Sequence, residues 1–546
     1  MNFGTPDFAF KISGTHREQK EGYLTNLVTG EDLGREEYTQ ITINSLFKIS
    51  ENLEVEITLT DEQQDQDAHT SLNLGGATTW WCAVYGQCSP GIGIPQSGDR
   101  YKVYNNEPNA RNASFESFTG ILEVRWDLSD NYKLDYILGR KTTDEEVDQD
   151  WDGTPLTLYH TTRDAEYEQL SHELRLTSDL DGSFNYVVGL YKWDSEYTIP
   201  MESRIGFFDL FGAVPTQDPL IVVPLYNYTH QETDSMAVFF EGDYDINDQF
   251  TLTIGGRYID EEKSSNACQG PGPYPDCSQI NTYADKTFTK FTPKVALSYQ
   301  SSENMLYYIS YSQGYRSGGF NGRWGNQFSA IRPYRPETVT NIELGLKSDY
   351  LDGRLRLNAA LFRADIENLQ TTIFDTSIVN LFFSDNAANA TINGFEADFI
   401  WLPESIDGLT VTGAISRLNT EITEVLTPTD DVQKSDQLAF APEMQGNLRA
   451  RYEWDLNSGI TAYVMPSFIW SSEAFSDVIT INRIEMNSYT MANISAGLLS
   501  ELWSSELYVN NLTDRRAQVS NNFVFDVQRV TYAQPRTFGL RLKYNF

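Results

Sequence analysis

Gln534-Pro-Arg-Thr-Phe-Gly-Leu-Arg-Leu-Lys-Tyr-Asn-Phe546, the last thirteen residues of the chain, decides the fold class. Phe538, Leu540, Leu542, Tyr544 and Phe546 fall on alternate positions, and Thr537, Gly539, Arg541, Lys543 and Asn545 fill the gaps. Side chains alternate across a strand, so one face is apolar and the other polar or minimal. A soluble sheet could carry the pattern. A final strand with an apolar outer face and a terminal aromatic fits an outer-membrane barrel better, because the outside of such a barrel meets lipid and its inside meets water.

Working back from this strand, the same period recurs. Ile41, Ile43, Phe47 and Ile49 alternate with Thr42, Asn44 and Lys48; Val55, Ile57 and Leu59 with Glu54, Glu56 and Thr58; Leu122, Val124 and Trp126 with Glu123, Arg125 and Asp127. The period is two, not 3.6. Short turns rich in Asp, Asn, Ser and Gly stand near 50–53, 128–131, 179–184, 245–249, 300–304, 350–353, 402–408, 455–459 and 500–505. Longer polar stretches separate them, near 17–34, 65–112, 144–163, 196–230, 261–286, 314–336, 371–390, 421–437, 472–486 and 513–534. The alternation predicts an all-β chain: a transmembrane antiparallel β-barrel of about twenty strands, with long extracellular loops and short periplasmic turns. An aromatic lies near every short turn (Phe47, Trp126, Phe184, Tyr244, Tyr299, Tyr350, Trp401, Trp454 and Trp503), which reads as a girdle at the headgroup level.

Composition narrows the alternatives. The formal charge of −37 argues against a nucleic-acid partner, which would need a basic face. Aromatics at 13% argue against disorder. No apolar run approaches 18 residues, so a helical membrane protein is excluded while a barrel is not. The N-terminus carries neither a basic region nor an apolar core of a signal peptide, so the chain is expected to be mature, trimmed or a fragment. The cysteines form two close pairs in loops, Cys82/Cys88 and Cys268/Cys277, and suggest two local disulfides in an oxidising compartment. A metal site at these pairs is disfavoured, since no His is near and neither spacing is C-x2-C.

Several motifs in order resemble the TonB-dependent receptors, the plugged 22-stranded transporters of Gram-negative outer membranes. They are Tyr311-Ser-Gln-Gly-Tyr-Arg-Ser-Gly-Gly-Phe-Asn321, Pro336-Glu-Thr-Val-Thr-Asn-Ile-Glu-Leu-Gly-Leu-Lys347 and Leu355–Gln370. Ala390-Thr-Ile-Asn-Gly-Phe-Glu-Ala-Asp398, Ala441-Pro-Glu-Met444, Asn510-Asn-Leu-Thr-Asp514 and the final strand complete them. The set covers roughly 300–546, with the looser strand pattern reaching back almost to residue 1. The family begins with a TonB box and a plug folded inside the barrel; this chain opens in what resembles the third barrel strand, at Asp7–His16. One barrel domain over 1–546 is therefore expected, part of a larger receptor whose plug and first strands lie outside it. The resemblance implies import of a ferric siderophore or similar chelate with TonB-derived energy, through a plug not in this chain. An oligosaccharide-specific receptor, a passive diffusion channel and a surface-binding protein are the alternatives. Lipopolysaccharide, membrane lipid and the nutrient are the expected partners of a monomer with no cofactor.

Candidate ligand contacts lie in the long loops. Trp80, Trp81, Tyr85 and Trp324 could stack on a ring, Arg316, Arg323, Arg332 and Arg335 could hold an anionic group, and Asn321 stands among them. Internal loop packing is the competing reading for each. Gly314, Gly318, Gly319 and Gly322 are not followed by the Lys-Ser/Thr of a phosphate loop and read as rim glycines. The five His, at 16, 69, 160, 172 and 230, form no motif, and no nucleophile elbow is present, so no enzyme is expected. The acidic runs Asp61–Asp67 and Asp144–Asp150 lack the Gly and terminal Glu of an EF-hand and read as solvated strand extensions, with no metal site.

Overall fold

A computed structural model describes the whole chain except residues 1, 6, 75–98, 156, 158, 206–222, 323–326, 376–380, 427–431, 457–458, 480–482, 525–526 and 545–546. Ladder hydrogen bonds join 21 strands into one antiparallel sheet in which each barrel strand pairs with the next in sequence. The first, Asn2–Thr5, has four residues; those that follow run from Phe8–Gln19 to Thr537–Tyr544 and match the expected twenty. All the expected short turns join hairpins of this sheet. At the turn after Glu337–Tyr350 three consecutive residues, Leu351, Asp352 and Gly353, take positive φ of 55°, 56° and 80°.

The two faces separate as the alternation requires. On Val223–Asn247, Met236, Val238, Phe240, Tyr244 and Ile246 are all exposed on one face, whereas Ala237, Phe239, Glu241 and Asp243 take the other. The apolar run from Ile246 to Met236 then gives way on the same face to Asp234, Glu232 and His230. Eleven residues at about 3.3 Å each, tilted about 45°, rise about 25 Å, the height of a lipid-facing band. Where the band ends, ion pairs begin: Lys192 with Asp194 (3.0 Å) and Asp234, Arg140 with Glu168 (2.7 Å), and Arg363 with Asp365 (2.9 Å). In the final strand Phe538, Leu540, Leu542 and Tyr544 are 74%, 59%, 70% and 57% exposed; Phe546 lies outside the described residues.

The opposite face is a wall of paired charges. Arg125 lies 2.8 Å from Glu56, Lys294 2.8 Å from Glu241, and the Tyr308 hydroxyl donates to Glu343 at 2.6 Å. Arg541, from the closing strand, pairs with Glu506 and stacks over Tyr508 at 5.4 Å. An apolar core would not tolerate this ring of charge; a wet or protein-filled lumen does.

The long connections are shorter than their composition suggests. Tyr132–Asp150 and Tyr159–Ser178 stay paired to Asp150↔His160, although 144–163 reads as loop. Phe184–Ile205 and Val223–Asn247 pair to Ile205↔Val223, across most of 196–230. Beyond the apolar band both faces meet water or loops, so alternation disappears from the sequence while the backbone ladder continues.

Candidate functional site

Among the described residues, the loops at the far end from the short turns pack into three clusters. One draws on the stretches 20–35, 67–74, 99–112 and 511–524 with 527–536: Leu24, Leu33, Leu72, Val103, Ala110 and Val530 are buried together. Short strands hold it, with Leu72 opposite Val530 and Asn73 opposite Arg529. Buried Arg100 adds a pair with Asp514 and stacks on Tyr101 at 4.4 Å. Among the described residues Asn2–Thr5 pairs only with Phe8–Gln19, and Thr537–Tyr544 only with Trp503–Asn510. In this cluster the loops that follow the first strands and precede the last one pack together. A second cluster gathers Ile373, Ala388, Ile422, Val432, Val478 and Ile479. Cys268 and Cys277 form the expected disulfide; Cys82 and Cys88 lie outside the described residues.

The third cluster is built on residues 317–322 and 327–336. Gly319 and Tyr334 bridge its base, and a short helix, Gln327–Ile331, packs Ala330 onto Ala267 and Ile280. Thr229 donates its hydroxyl to the Gly322 carbonyl (3.2 Å) and Gln231 its amide to the Phe320 carbonyl (3.4 Å). Thr229 and Gln231 share the strand face of Phe239 and Glu241, so this loop lies against the lumen side of the wall and folds into the mouth. Gly318 makes that fold possible. A Cβ there would stand 2.4 Å from the Tyr334 carbonyl oxygen and 2.4 Å from the Phe288 ring. Burial raises the phenols of Tyr197 and Tyr334 beside the loop, keeping them neutral.

The sequence candidates divide here. Arg316 ends Met305–Arg316 and is exposed, as is Arg335; among the described residues neither guanidinium has an ion pair. Arg332 is tied to Asp385 (2.9 Å) and lies over the Phe328 ring (5.4 Å). Asn321 is buried; its Oδ1 accepts from the Ser384 N–H (2.6 Å) and its Nδ2 donates to the carbonyls of Ser384 and Ser329. Those bonds describe loop packing, the competing reading for that residue. Trp80, Trp81, Tyr85, Arg323 and Trp324 lie outside the described residues.

One constellation escaped the sequence reading. Asp144–Asp150 reads as a solvated extension, but Asp148, Asp150, Asp152 and His160 are 3%, 4%, 0% and 0% exposed. The acidic run continues as Asp148-Gln-Asp150-Trp-Asp152-Gly153, with a Gly at the sixth position and φ +62°. The reading that stopped at Asp150 missed that Gly. Asp150 Oδ1 accepts from the N–H groups of Asp152 (2.9 Å) and Gly153 (2.8 Å), and its Oδ2 from that of Asn106 (3.0 Å). Asp152 Oδ2 accepts from the Tyr159 N–H (2.8 Å). His160 places Nδ1 2.9 Å from Glu107 Oε2 and Nε2 3.5 Å from Oδ2 of both aspartates. Arg204 reaches Glu107 at 2.6 Å, and Arg529 donates to the Trp151 carbonyl. Burial, then the charge of Asp152, pushes the Asp150 carboxyl up to about 7. Burial works against a charged His160, but Asp152, Glu107 and Asp150 prevail and hold it at about 10.

A family model described as TonB dependent receptor-like, beta-barrel, matches residues 50–512. The chain belongs to this TonB-dependent receptor family. Among relatives of this receptor barrel, the metal-pseudopaline receptor CntO of Pseudomonas aeruginosa is 23% identical over 448 residues, covering 78% of this chain and 58% of that receptor. The probable TonB-dependent siderophore receptor PiuA of Acinetobacter baumannii is 23% identical over 320 residues, 55% of this chain and 40% of that one. The chain thus spans about three fifths, or less, of the length of these relatives. Of solved structures, the ferric yersiniabactin uptake receptor FyuA of Yersinia pestis aligns with a TM-score of 0.79 at 15% identity, over 99% of this chain and 76% of that one. The ferripyoverdine receptor of the Pseudomonas aeruginosa outer membrane aligns with a TM-score of 0.71 at 15% identity, over 99% and 68%. These likenesses fix the fold of the TonB-dependent receptor barrel. No helix among the described residues is long and apolar enough to cross a membrane, which says nothing against crossing by strands.

Proposed function

We propose that the chain is the barrel domain, over 1–546, of a receptor in the outer membrane of a Gram-negative bacterium. It takes up a ferric siderophore or a similar metal chelate, coupled to TonB through a plug outside this chain. The observation that carries this reading is the segment 317–322, held against the lumen wall, with Arg316 and Arg335 beside it exposed and without ion pairs among the described residues. In a chain of net charge −37, a free guanidinium at the mouth is a local attraction for an anionic chelate against a repelling background. The relatives named for metal-pseudopaline and siderophores support the same cargo class.

The long loops then face outward and the short turns the periplasm. The acidic outer face above the apolar band, with Glu196, His230 and Glu232 close together, suits cation-bridged contact with lipopolysaccharide. The barrel acts as a monomer and carries out no catalysis. The test is radio-iron uptake by cells lacking the gene and by the same cells complemented. Uptake that returns with the gene and vanishes in a TonB-deficient strain supports the reading. Steady, TonB-independent conductance of the whole receptor in planar bilayers would point to a passive channel instead.

A further inference from the structure

The buried group around His160 has a feature that ion pairing alone does not account for. Its Nε2 is fully buried, has no hydrogen-bond partner among the described residues, and faces two carboxylate oxygens at 3.5 Å each. A protonated imidazole bonded directly to a carboxylate would stand about 2.7–2.9 Å from it. A tetrahedral metal with ligand bonds of about 2.0–2.1 Å sets its ligand atoms about 3.3–3.4 Å apart. The donor atoms of Asp150, Asp152 and His160 all lie within 4.8 Å of one another.

We propose that Asp150 Oδ2, Asp152 Oδ2 and His160 Nε2 bind one zinc-class divalent cation that clips the extracellular loops together. The donor set argues for the class. One nitrogen and two carboxylate oxygens suit zinc and its first-row neighbours, whereas calcium takes an all-oxygen shell. The ligands are already oriented. Asp150 and Asp152 are fixed by N–H groups of their own turn and of Asn106 and Tyr159, and the other nitrogen of His160 faces Glu107, the usual outer partner of a ligating His. Charge agrees as well. Glu107, Asp150 and Asp152 outnumber Arg204 and Arg529, so the buried group keeps a negative charge for a cation when His160 is neutral. The clip would join the end of Tyr132–Asp150, the connection carrying Glu107 and, through Arg529 on Trp151, the hairpin Gln518–Val524/Val527–Tyr532.

The proposal does not depend on the cargo, because its test uses the metal alone with no chelate present. Full-length receptor, stripped with a chelator and shown to be folded by its heat-modifiable gel migration, is dialysed against buffered Zn²⁺ or Ca²⁺ and its metal content measured. The expected result is one zinc per chain, falling to background in folded Asp152→Asn and His160→Gln. Folded wild type that takes up no zinc would overturn the proposal and leave a proton-held ion cluster. Zinc retained unchanged in both variants, or calcium bound in its place, would overturn it equally.

Discussion

Single side chains divide into those that hold the loops and those left free to act. Arg332 and Asn321 belong to the first kind, fixed by Asp385 and by Ser384. Arg316 and Arg335 belong to the second. A charge-assisted hydrogen bond contributes about 1.5–3 kcal/mol, so Arg316→Ala and Arg335→Ala should each weaken binding of a ferric chelate by about tenfold or more. Titration of the purified receptor checks this, and equal affinity in both variants would remove them from the site. Sequence made Arg316 and Arg335 legible as candidates because basic residues in a loop of an acidic chain stand out. It could not separate them from Asn321, because hydrogen bonds to Ser384 and Ser329 depend on how the loop folds back. His160 was illegible for the same reason: Glu107 stands 53 residues away, and only the loop layer brings the two together.

Elements were read well where lipid imposes a pattern and poorly where it does not. The final strand is the clearest case, with its outer face apolar as its alternation demands. Its inner face also explains Gly539. A Cβ there would stand 2.1 Å from the Tyr508 ring, and that ring is held under Arg541. Gly539→Ala should therefore cost about 1–3 kcal/mol by overpacking, read as a lower urea midpoint in lipid vesicles. Tyr508→Leu in the same chain should recover most of it; no recovery would mean the strain lies in the backbone. The ends of Tyr132–Asp150 and Val223–Asn247 were not legible, because their outer residues turn polar above the band while the ladder continues. The Cys268–Cys277 disulfide sits in such an extension and closes a connection of separation 9. Cys268→Ser with Cys277→Ser should leave folded migration unchanged and speed proteolysis within 271–279; loss of the folded band would show that the bridge supports the barrel itself.

Taken whole, the molecule is a wall of paired charges inside, an apolar band outside and a layer of packed loops. In that layer Val530 lies against Leu72 within the buried apolar cluster that joins early and late loops of the chain. Val530 is fully buried, so Val530→Asp places a charge in an apolar cluster. It should release 67–74, 99–112, 511–524 and 527–536 to protease while leaving the second cluster protected; uniform protection would show that other contacts hold these loops. A mouth in an acidic chain that nevertheless exposes two arginines without ion pairs among the described residues suits the capture of an anionic chelate, and the central claim is that the barrel imports one. The most direct measurement is uptake of radio-iron chelates by iron-starved cells carrying the receptor, with and without TonB and with Arg316 and Arg335 both replaced by Ala. The account predicts receptor-dependent uptake that stops without TonB and falls at least about tenfold in the double variant at limiting chelate. Uptake indifferent to the receptor, or receptor-dependent uptake that continues without TonB, would contradict it.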